Sequence, residues 1–236
     1  KSLSSDKIIG IVQPTYIPWL PFFERWITSD VFVILDDVQY SKNNYFNRNS
    51  IKTANGIQLL SIPVLHKNNS KALINEVLVN PSTDWKRKHW KSLHQAYRKA
   101  RFWRFFSDKL EVLYLSEFGE KLIDCLIPFI QFIADAFEIS TPLIRSSQLK
   151  ILSTQNQKLI DICKSLEGTH FIVKPGTEDY HPPKLFNQSQ IELKYLTYSK
   201  IEYPQLHGKF DPFLSALDFL LNCGPVRPKF DAFVNR

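Results

Sequence analysis

Polar and aromatic side chains collect directly after two short apolar segments near the start of the chain. Asp36 and Asp37 follow the apolar residues 31–35, and Gln13 opens the turn that follows residues 8–12. Ligands of open parallel sheets bind beyond the carboxyl ends of the strands, so these side chains are candidates for a single pocket. The same two turns supply further candidate contacts to a ligand, namely Tyr16, Trp19, Gln39 and Tyr40.

The two adjacent carboxylates have two interpretations. Neighbouring side chains of an extended chain point to opposite faces, so one of Asp36 and Asp37 would face the crevice. That carboxylate would act as a catalytic base, or it would orient an amine or a hydroxyl group. In the alternative interpretation both carboxylates are structural and cap a turn or pair with a basic group.

Arg48 lies between Asn47 and Asn49. A guanidinium group can form two parallel hydrogen bonds with a phosphate or a carboxylate. The two asparagine amides are candidate donors to an oxyanion. Alternatively, Arg48 forms an ion pair that orders the loop and has no role in binding.

His89 is the first candidate among the histidines. A neutral imidazole at this position could deprotonate an attacking amine, while Lys88 could contact a phosphate. The alternative is a surface histidine on a basic helix. His94 follows five residues later, so the pair lacks the i,i+4 spacing of a helical zinc site, and no metal site is predicted. Further candidate pocket residues come from the second half of the chain: Tyr180, Gln205 and His207.

The apolar patterning predicts an α/β fold of the Rossmann-like type, a mostly parallel sheet flanked by helices. Residues 8–12, 20–28 and 31–35 form the first strand–helix–strand unit. A helical central insertion, or subdomain, is expected over approximately residues 85–137. The remaining predicted elements are strands at 57–65, 73–79, 169–173 and 191–198, an extended segment at 141–144, and helices at 155–166 and 212–221, the last capped by Asp211.

Six short segments, each present once, follow one another along the chain. They are QPTYIPW at 13–19, LDDVQY at 35–40, NRN at 47–49, WKRKH at 85–89, YPQLHG at 203–208 and SALDFLLNCG at 215–224. Together they resemble the WbqC-like proteins of bacterial O-antigen and surface-polysaccharide gene clusters. The resemblance covers nearly the whole chain and implies a single WbqC-like domain over residues 1–236. It also implies work on amino-sugar or nucleotide-sugar intermediates of lipopolysaccharide.

The composition narrows the possible partners. The 236 residues are 44% hydrophobic, enough for a sizeable core, and the formal net charge of +7 favours an anionic partner, either a nucleic acid or a pyrophosphate-bearing small molecule. The alternative is a soluble basic surface without such a partner, because apart from 86–88 and 99–104 the basic residues are more scattered than in most nucleic-acid-binding proteins. The glycine patterns of dinucleotide-binding and P-loop sites are missing, so no tightly bound cofactor is predicted. Three widely spaced cysteines, together with no signal peptide and no apolar run of about 18 residues, predict a cytoplasmic protein without a membrane span. The oligomeric state stays open.

Three functional hypotheses follow. The first is a transferase of surface-polysaccharide biosynthesis that N-acylates a nucleotide-linked deoxyamino sugar with an aminoacyl or small acyl unit. Its activated donor would be a thioester or an aminoacyl-tRNA. The second is a non-catalytic nucleotide-sugar-binding or scaffold protein of the same pathway. The third is a tRNA-binding aminoacyl transferase, which the basic central helices favour.

Overall fold

The computed structural model describes residues 6–42, 44–65 and 71–230. Within them, the central sheet is built from β1 (Ile8–Val12), β2 (Val31–Ile34), β5 (Leu143–Arg145), β6 (His170–Val173) and β7 (Glu192–Tyr195). The strand order is β5-β2-β1-β6-β7, and every neighbouring pair is parallel. The predicted Rossmann-like α/β fold is therefore confirmed.

Helices cover both faces of this sheet. They are α1 (Leu20–Ile27), α2 (Trp85–Tyr97), α3 (Trp103–Leu115), α4 (Leu122–Ala136), α5 (Gln155–Ser165), α6 (Pro183–Gln188) and α7 (Ala216–Cys223). The first connects β1 to β2 and completes the predicted strand–helix–strand unit. Helices α2 to α4 occupy the predicted helical region, although Pro128 lies inside α4. In the described ranges no helix has both the length and the apolar character needed to cross a membrane.

Alternating side chains of β2 separate two apolar cores. Phe32 and Ile34 belong to a large cluster that also contains residues of α1, α2, α3, α4 and α7. Val33 points the other way and packs with Ile9, Ile11 and residues of α5 and α6. A strand buried on both faces reads as a continuous apolar run, which is why the sequence identifies these strands well.

The predicted strand at 57–65 belongs to a separate hairpin. Strands β3 (Arg48–Thr53) and β4 (Gly56–Ser61) pair antiparallel in a two-stranded sheet of their own. Gly56 has a φ of +105°, the left-handed region that glycine tolerates best. The hairpin places the residues around Asn49 beside the turn that follows β1.

Two local predictions are wrong. Residues 73–79 form no strand; they contain a short 3₁₀ turn, Ile74–Glu76, with isolated bridges on either side. The closing helix begins later than predicted and is capped by Ser215, whose Oγ accepts a hydrogen bond from the Leu217 amide at 3.2 Å. Asp211 instead accepts a hydrogen bond from the Phe213 amide, since a loop separates it from α7.

Candidate functional site

The turn between β1 and α1 is fixed by an unusual backbone conformation. Ile17 has a φ of +37° although it is β-branched, fully buried and followed by Pro18. A β-branched side chain and a following proline both disfavour this backbone conformation, so the surrounding residues must hold the turn in place. The Asn49 amide does so in part, because its Nδ2 donates a hydrogen bond to the Ile17 carbonyl at 3.0 Å.

Three segments meet at this turn. The Ala216 amide at the start of α7 donates to the Pro18 carbonyl at 2.8 Å, and the Ser215 amide donates to the Ser50 carbonyl at 2.9 Å. The Tyr16 amide donates to the Phe46 carbonyl at 2.9 Å. These bonds tie together the turn after β1, the start of the β3–β4 hairpin and the loop before α7.

A cleft of about 490 Å³ opens where the three segments meet. We call it the aromatic cleft; its lining residues are Thr15, Trp19, Tyr45, Asn49, Ser50, Ile57, Asp211 and Phe213. Its aromatic side chains remain accessible, with exposed fractions of 39% for Trp19, 55% for Tyr45 and 70% for Phe213. Its volume lies in the range of small-molecule sites, and its polar lining residues are Thr15, Asn49, Ser50 and Asp211.

Arg48 lies behind one wall of the aromatic cleft. Its guanidinium carbon is 5.2 Å from the centroid of the Tyr45 ring, a cation–π contact. Its buried Nε has no hydrogen-bond partner, and it forms no ion pair, within the part of the chain that the structure describes. Burial raises the pKa of the nearby Tyr40, and the positive charge of Arg48 opposes that shift. The guanidinium therefore retains donors for an anion.

Asp211 is held in the cleft wall by a buried polar network. The Gln205 side chain forms two hydrogen bonds with the Asp211 backbone. Its Nε2 donates to the Asp211 carbonyl at 2.8 Å, and its Oε1 accepts from the Asp211 amide at 2.9 Å. The buried Lys52 ammonium donates to the same Gln205 side chain at 3.1 Å. His207 donates to the Ala96 carbonyl at 2.7 Å. Gln205 thus positions the cleft wall, and neither Gln205 nor His207 lines it.

Asp36 and Asp37 lie in a different place and are already satisfied. Asp36 is fully buried and accepts hydrogen bonds from Arg145 Nε at 2.7 Å and from both the amide and hydroxyl of Ser147. Asp37 pairs with the buried Lys158 ammonium at 2.8 Å. We call these residues the Asp36 cluster; its members are Asp36, Asp37, Arg145, Ser146, Ser147 and Lys158. The Ser146 hydroxyl lies against both carboxylates, so they share a partner despite being adjacent in sequence.

His89 is also inside the protein. Its Nδ1 lies 2.9 Å from the hydroxyl of the fully buried Tyr16, which also hydrogen-bonds to the Tyr114 hydroxyl. Burial lowers the pKa of His89 to about 4, and a hydrogen bond to the Ser61 backbone opposes the shift. The imidazole is therefore neutral at pH 7, as expected for a base, but it does not line the aromatic cleft.

The remaining predicted residues are dispersed. Asn47 donates to the Ile62 carbonyl at 2.8 Å, and Tyr40 packs against Phe46. Lys88, Tyr180 and Gln39 are exposed at other places, and Gln13 is half-buried at the end of β1. Of the predicted set, Trp19 and Asn49 line the cleft directly. Sequence reasoning missed Thr15, Tyr45, Ser50, Ile57 and Phe213, and it assigned Asp211 to a helix cap.

In residues 6–42, 44–65 and 71–230, no three His, Cys, Asp or Glu side chains gather closely enough to hold a metal ion. The lining of the aromatic cleft provides aromatic rings, hydroxyls, an amide and a carboxylate. These groups suit a ligand with both polar and apolar faces.

Comparison with known proteins places the chain in a family. The model of the WbqC-like protein family matches residues 13–229, which include every residue of the aromatic cleft. The uncharacterized protein Rv1507c of Mycobacterium tuberculosis is 32% identical over 225 residues, or 95% of this chain and 97% of that protein. No solved structure matches. The chain belongs to the WbqC-like protein family.

Proposed function

We propose that this protein is a transferase of surface-polysaccharide (O-antigen) biosynthesis that binds a nucleotide-linked deoxyamino sugar in the aromatic cleft and N-acylates it. The observation that carries the proposal is the accessibility of Trp19, Tyr45 and Phe213 around Asn49 and Asp211 in one cleft. Aromatic faces pack against the apolar face of a sugar ring or stack on a base, while the few polar groups fix its orientation.

Arg48 is the proposed contact to the diphosphate. Its guanidinium packs on Tyr45, so it lies next to the cleft, and its Nε has no partner among the described residues. A planar guanidinium can form paired hydrogen bonds with phosphate oxygens. Neither Arg48 nor Lys88 lines the cleft itself, but Lys88 is the weaker candidate because it is exposed on α2, whereas Arg48 contacts the lining residue Tyr45.

Asp211 is the proposed group for the amine. Its carboxylate would orient the amino group and accept a proton as nitrogen attacks the acyl carbon of a thioester or an aminoacyl-tRNA. The new C–N bond forms as the thiolate or the ribose oxygen leaves, and that leaving group takes up a proton. The hydroxyls of Thr15 and Ser50 line the same cleft and would donate to the oxyanion. His89 would support this region from within the protein, through its contact with Tyr16 in the turn after β1.

The test is incubation of the protein with a dTDP-linked amino sugar and a panel of acyl-coenzyme A and aminoacyl-tRNA donors, followed by mass spectrometry. We expect the mass of the sugar nucleotide to rise by one acyl unit. The matched variants are Asp211→Asn, which removes the proton acceptor, and Asp179→Asn, which changes a carboxylate outside the cleft. Equal activity of the two variants would contradict the role of Asp211.

A non-catalytic nucleotide-sugar-binding protein is the second candidate. It is favoured by the lining of the cleft, since none of its described lining residues is His, Cys or Lys. Isothermal titration with the same sugar nucleotide separates the two candidates. Binding without acylation by any donor would support the second, and failure to bind would contradict both.

A further inference from the structure

The positive charge of this protein is concentrated in one segment. Residues 85–107 contain eight Lys or Arg residues and no Asp or Glu, whereas the formal net charge of the whole chain is +7. The rest of the chain therefore carries one more acidic residue than basic residues. Such separation of charge indicates a partner with a high density of negative charge.

The solvent-facing side of α2 carries a continuous basic stripe. Arg87, Lys91, His94 and Arg98 recur every three or four residues and are all exposed. At this spacing they lie one above another along the helix axis. From Arg87 to Arg98 the stripe extends about 16 Å, at a rise of about 1.5 Å per residue.

This arrangement works against the stability of α2. The first turn contains Lys86, Arg87 and Lys88 and no acidic residue, which opposes the positive end of the helix dipole. Like charges four residues apart, such as Arg87 and Lys91, also repel each other along a helix. A helix arranged for stability alone would carry acidic side chains at some of these positions.

Few of these cations are neutralised by the protein. Within the described ranges, Arg87 lies 3.6 Å from Asp84, and Lys86 lies 3.6 Å from Glu117. The other basic residues of the segment form no ion pair with any described residue; they are Lys88, Lys91, Arg98, Lys99, Arg101 and Arg104. These six side chains are exposed and available to an outside anion.

The two helices that carry these basic residues are packed firmly against each other. Trp90 of α2 stacks on Trp103 of α3 with ring centroids 5.4 Å apart, and this contact holds the two helices together. The connection between them carries Arg98, Lys99 and Arg101, so the stripe continues around the end of α2. A surface fixed in this way can match the regular spacing of charges on a polymer.

We propose that the exposed face of α2 and the α2–α3 connection bind the phosphate backbone of a nucleic acid. A membrane surface fits less well. A helix that lies on a membrane inserts apolar side chains between its cations, whereas residues 87, 88, 91, 94 and 95 on the exposed face of α2 are all polar or charged. The exposed apolar residues of α3 are interspersed with the exposed Asp108 and Glu111. The proposal does not depend on the chemistry of the aromatic cleft.

The experiment measures binding of fluorescently labelled tRNA by anisotropy over a series of salt concentrations. Wild type should bind, with affinity falling steeply as salt rises. The variant Lys91→Gln/Arg98→Gln/Arg101→Gln/Arg104→Gln should bind at least about tenfold more weakly at low salt. Its slope of log affinity against log salt should be lower by about 3, for four lost phosphate contacts. A duplex DNA of similar length, measured in parallel, distinguishes a general backbone site from one that prefers RNA.

The matched control is Lys164→Gln/Lys184→Gln/Lys194→Gln/Lys200→Gln, which removes the same charge from exposed positions elsewhere. It should keep wild-type affinity within about threefold, since these lysines lie outside the proposed contact. Equal losses in the two variants would overturn the proposal, as would binding to phosphatidylserine vesicles without binding to tRNA or DNA. Circular dichroism checks that both variants are folded. If the variant with four substitutions is not folded, the double variant Lys91→Gln/Arg98→Gln replaces it. Its slope of log affinity against log salt should change by about half as much.

Discussion

The aromatic cleft and the Asp36 cluster contain similar polar groups but use them differently. In the Asp36 cluster each carboxylate has a cationic partner, Arg145 for Asp36 and Lys158 for Asp37. In the cleft, the Asp211 carboxylate accepts one hydrogen bond, from the Phe213 amide, and forms no ion pair with any described residue. Unused hydrogen-bonding capacity, more than the presence of an acidic residue, therefore identifies a place where a ligand can bind.

The largest expected effect is a loss of stability from the Asp36 cluster. Asp36→Asn removes the negative charge beside Arg145 in a fully buried position, and breaking such a pair costs about 3 kcal/mol. Urea denaturation measures the free energy of unfolding. The comparison variant, Asp211→Asn, should change it by less than about 0.5 kcal/mol, because Asp211 is half-buried and unpaired among the described residues. Similar losses for both variants would remove the distinction between the two regions.

A second effect of similar size concerns pH and the buried His89. Its pKa is lowered from 6.5 to about 4 in the folded protein, so the unfolded chain binds a proton first as pH falls. The contribution to stability is complete above pH 6.5 and is lost progressively between pH 6.5 and 4, by at most about 3 kcal/mol. Unfolding free energies of wild type and His89→Phe, measured across this range, should therefore converge as pH falls. A constant difference would show that His89 is solvated, like the groups of the cleft.

In the aromatic cleft itself, the same Asp211→Asn variant should slow acyl transfer by about 100-fold, the lower end of the usual contribution of a catalytic acid or base. Mass spectrometry of the acylated sugar nucleotide gives the rate. The affinity for the sugar nucleotide should change much less than the rate. A variant that binds normally and reacts at the wild-type rate would place the chemistry elsewhere.

The smallest effect tests the aromatic side chains. Phe213→Ala should weaken binding of the sugar nucleotide by about tenfold, or about 1.4 kcal/mol, through loss of a stacking surface. Stability should be nearly unchanged, since Phe213 is 70% exposed. Phe105→Ala is the control, because Phe105 is similarly exposed, at 57%, but lies on α3. Calorimetric affinities that are equal for the two variants would show that the cleft is not the binding surface.

Much of the fold could be predicted from local pattern. Strands β1, β2 and β6 are mostly buried and appear in the sequence as short apolar runs, and the predicted helical region at 85–137 contains α2, α3 and α4. The prediction of a strand at 73–79 was wrong because Asn75 and Glu76 interrupt its apolar residues, and the chain forms a 3₁₀ turn there. The backbone groups of this segment are instead paired with other segments: the Asn75 amide donates to the Asp36 carbonyl, the Val79 amide donates to the Glu120 carbonyl, and the Leu78 carbonyl accepts from the Leu65 amide.

The site was less predictable because its walls come from distant parts of the chain. Asp211 and Phe213 are almost 200 residues from Thr15, and no local pattern indicates that they meet. The burial of His89 did have a signal. Trp85, His89 and Leu93 recur every four residues on one side of α2, and this spacing favours a buried face over an exposed basic one. The catalytic roles first assigned to His89, Asp36 and Asp37 remain predictions.

The strained backbone at Ile17 has a consequence for the kinetics of binding. Because Ile17 is buried and its carbonyl is held by Asn49, the turn that presents Thr15 and Trp19 has its final shape before any ligand arrives. The ligand therefore does not have to order this segment, which lowers the entropic penalty of association. We expect a single fast association phase, without the slow isomerisation typical of a closing loop.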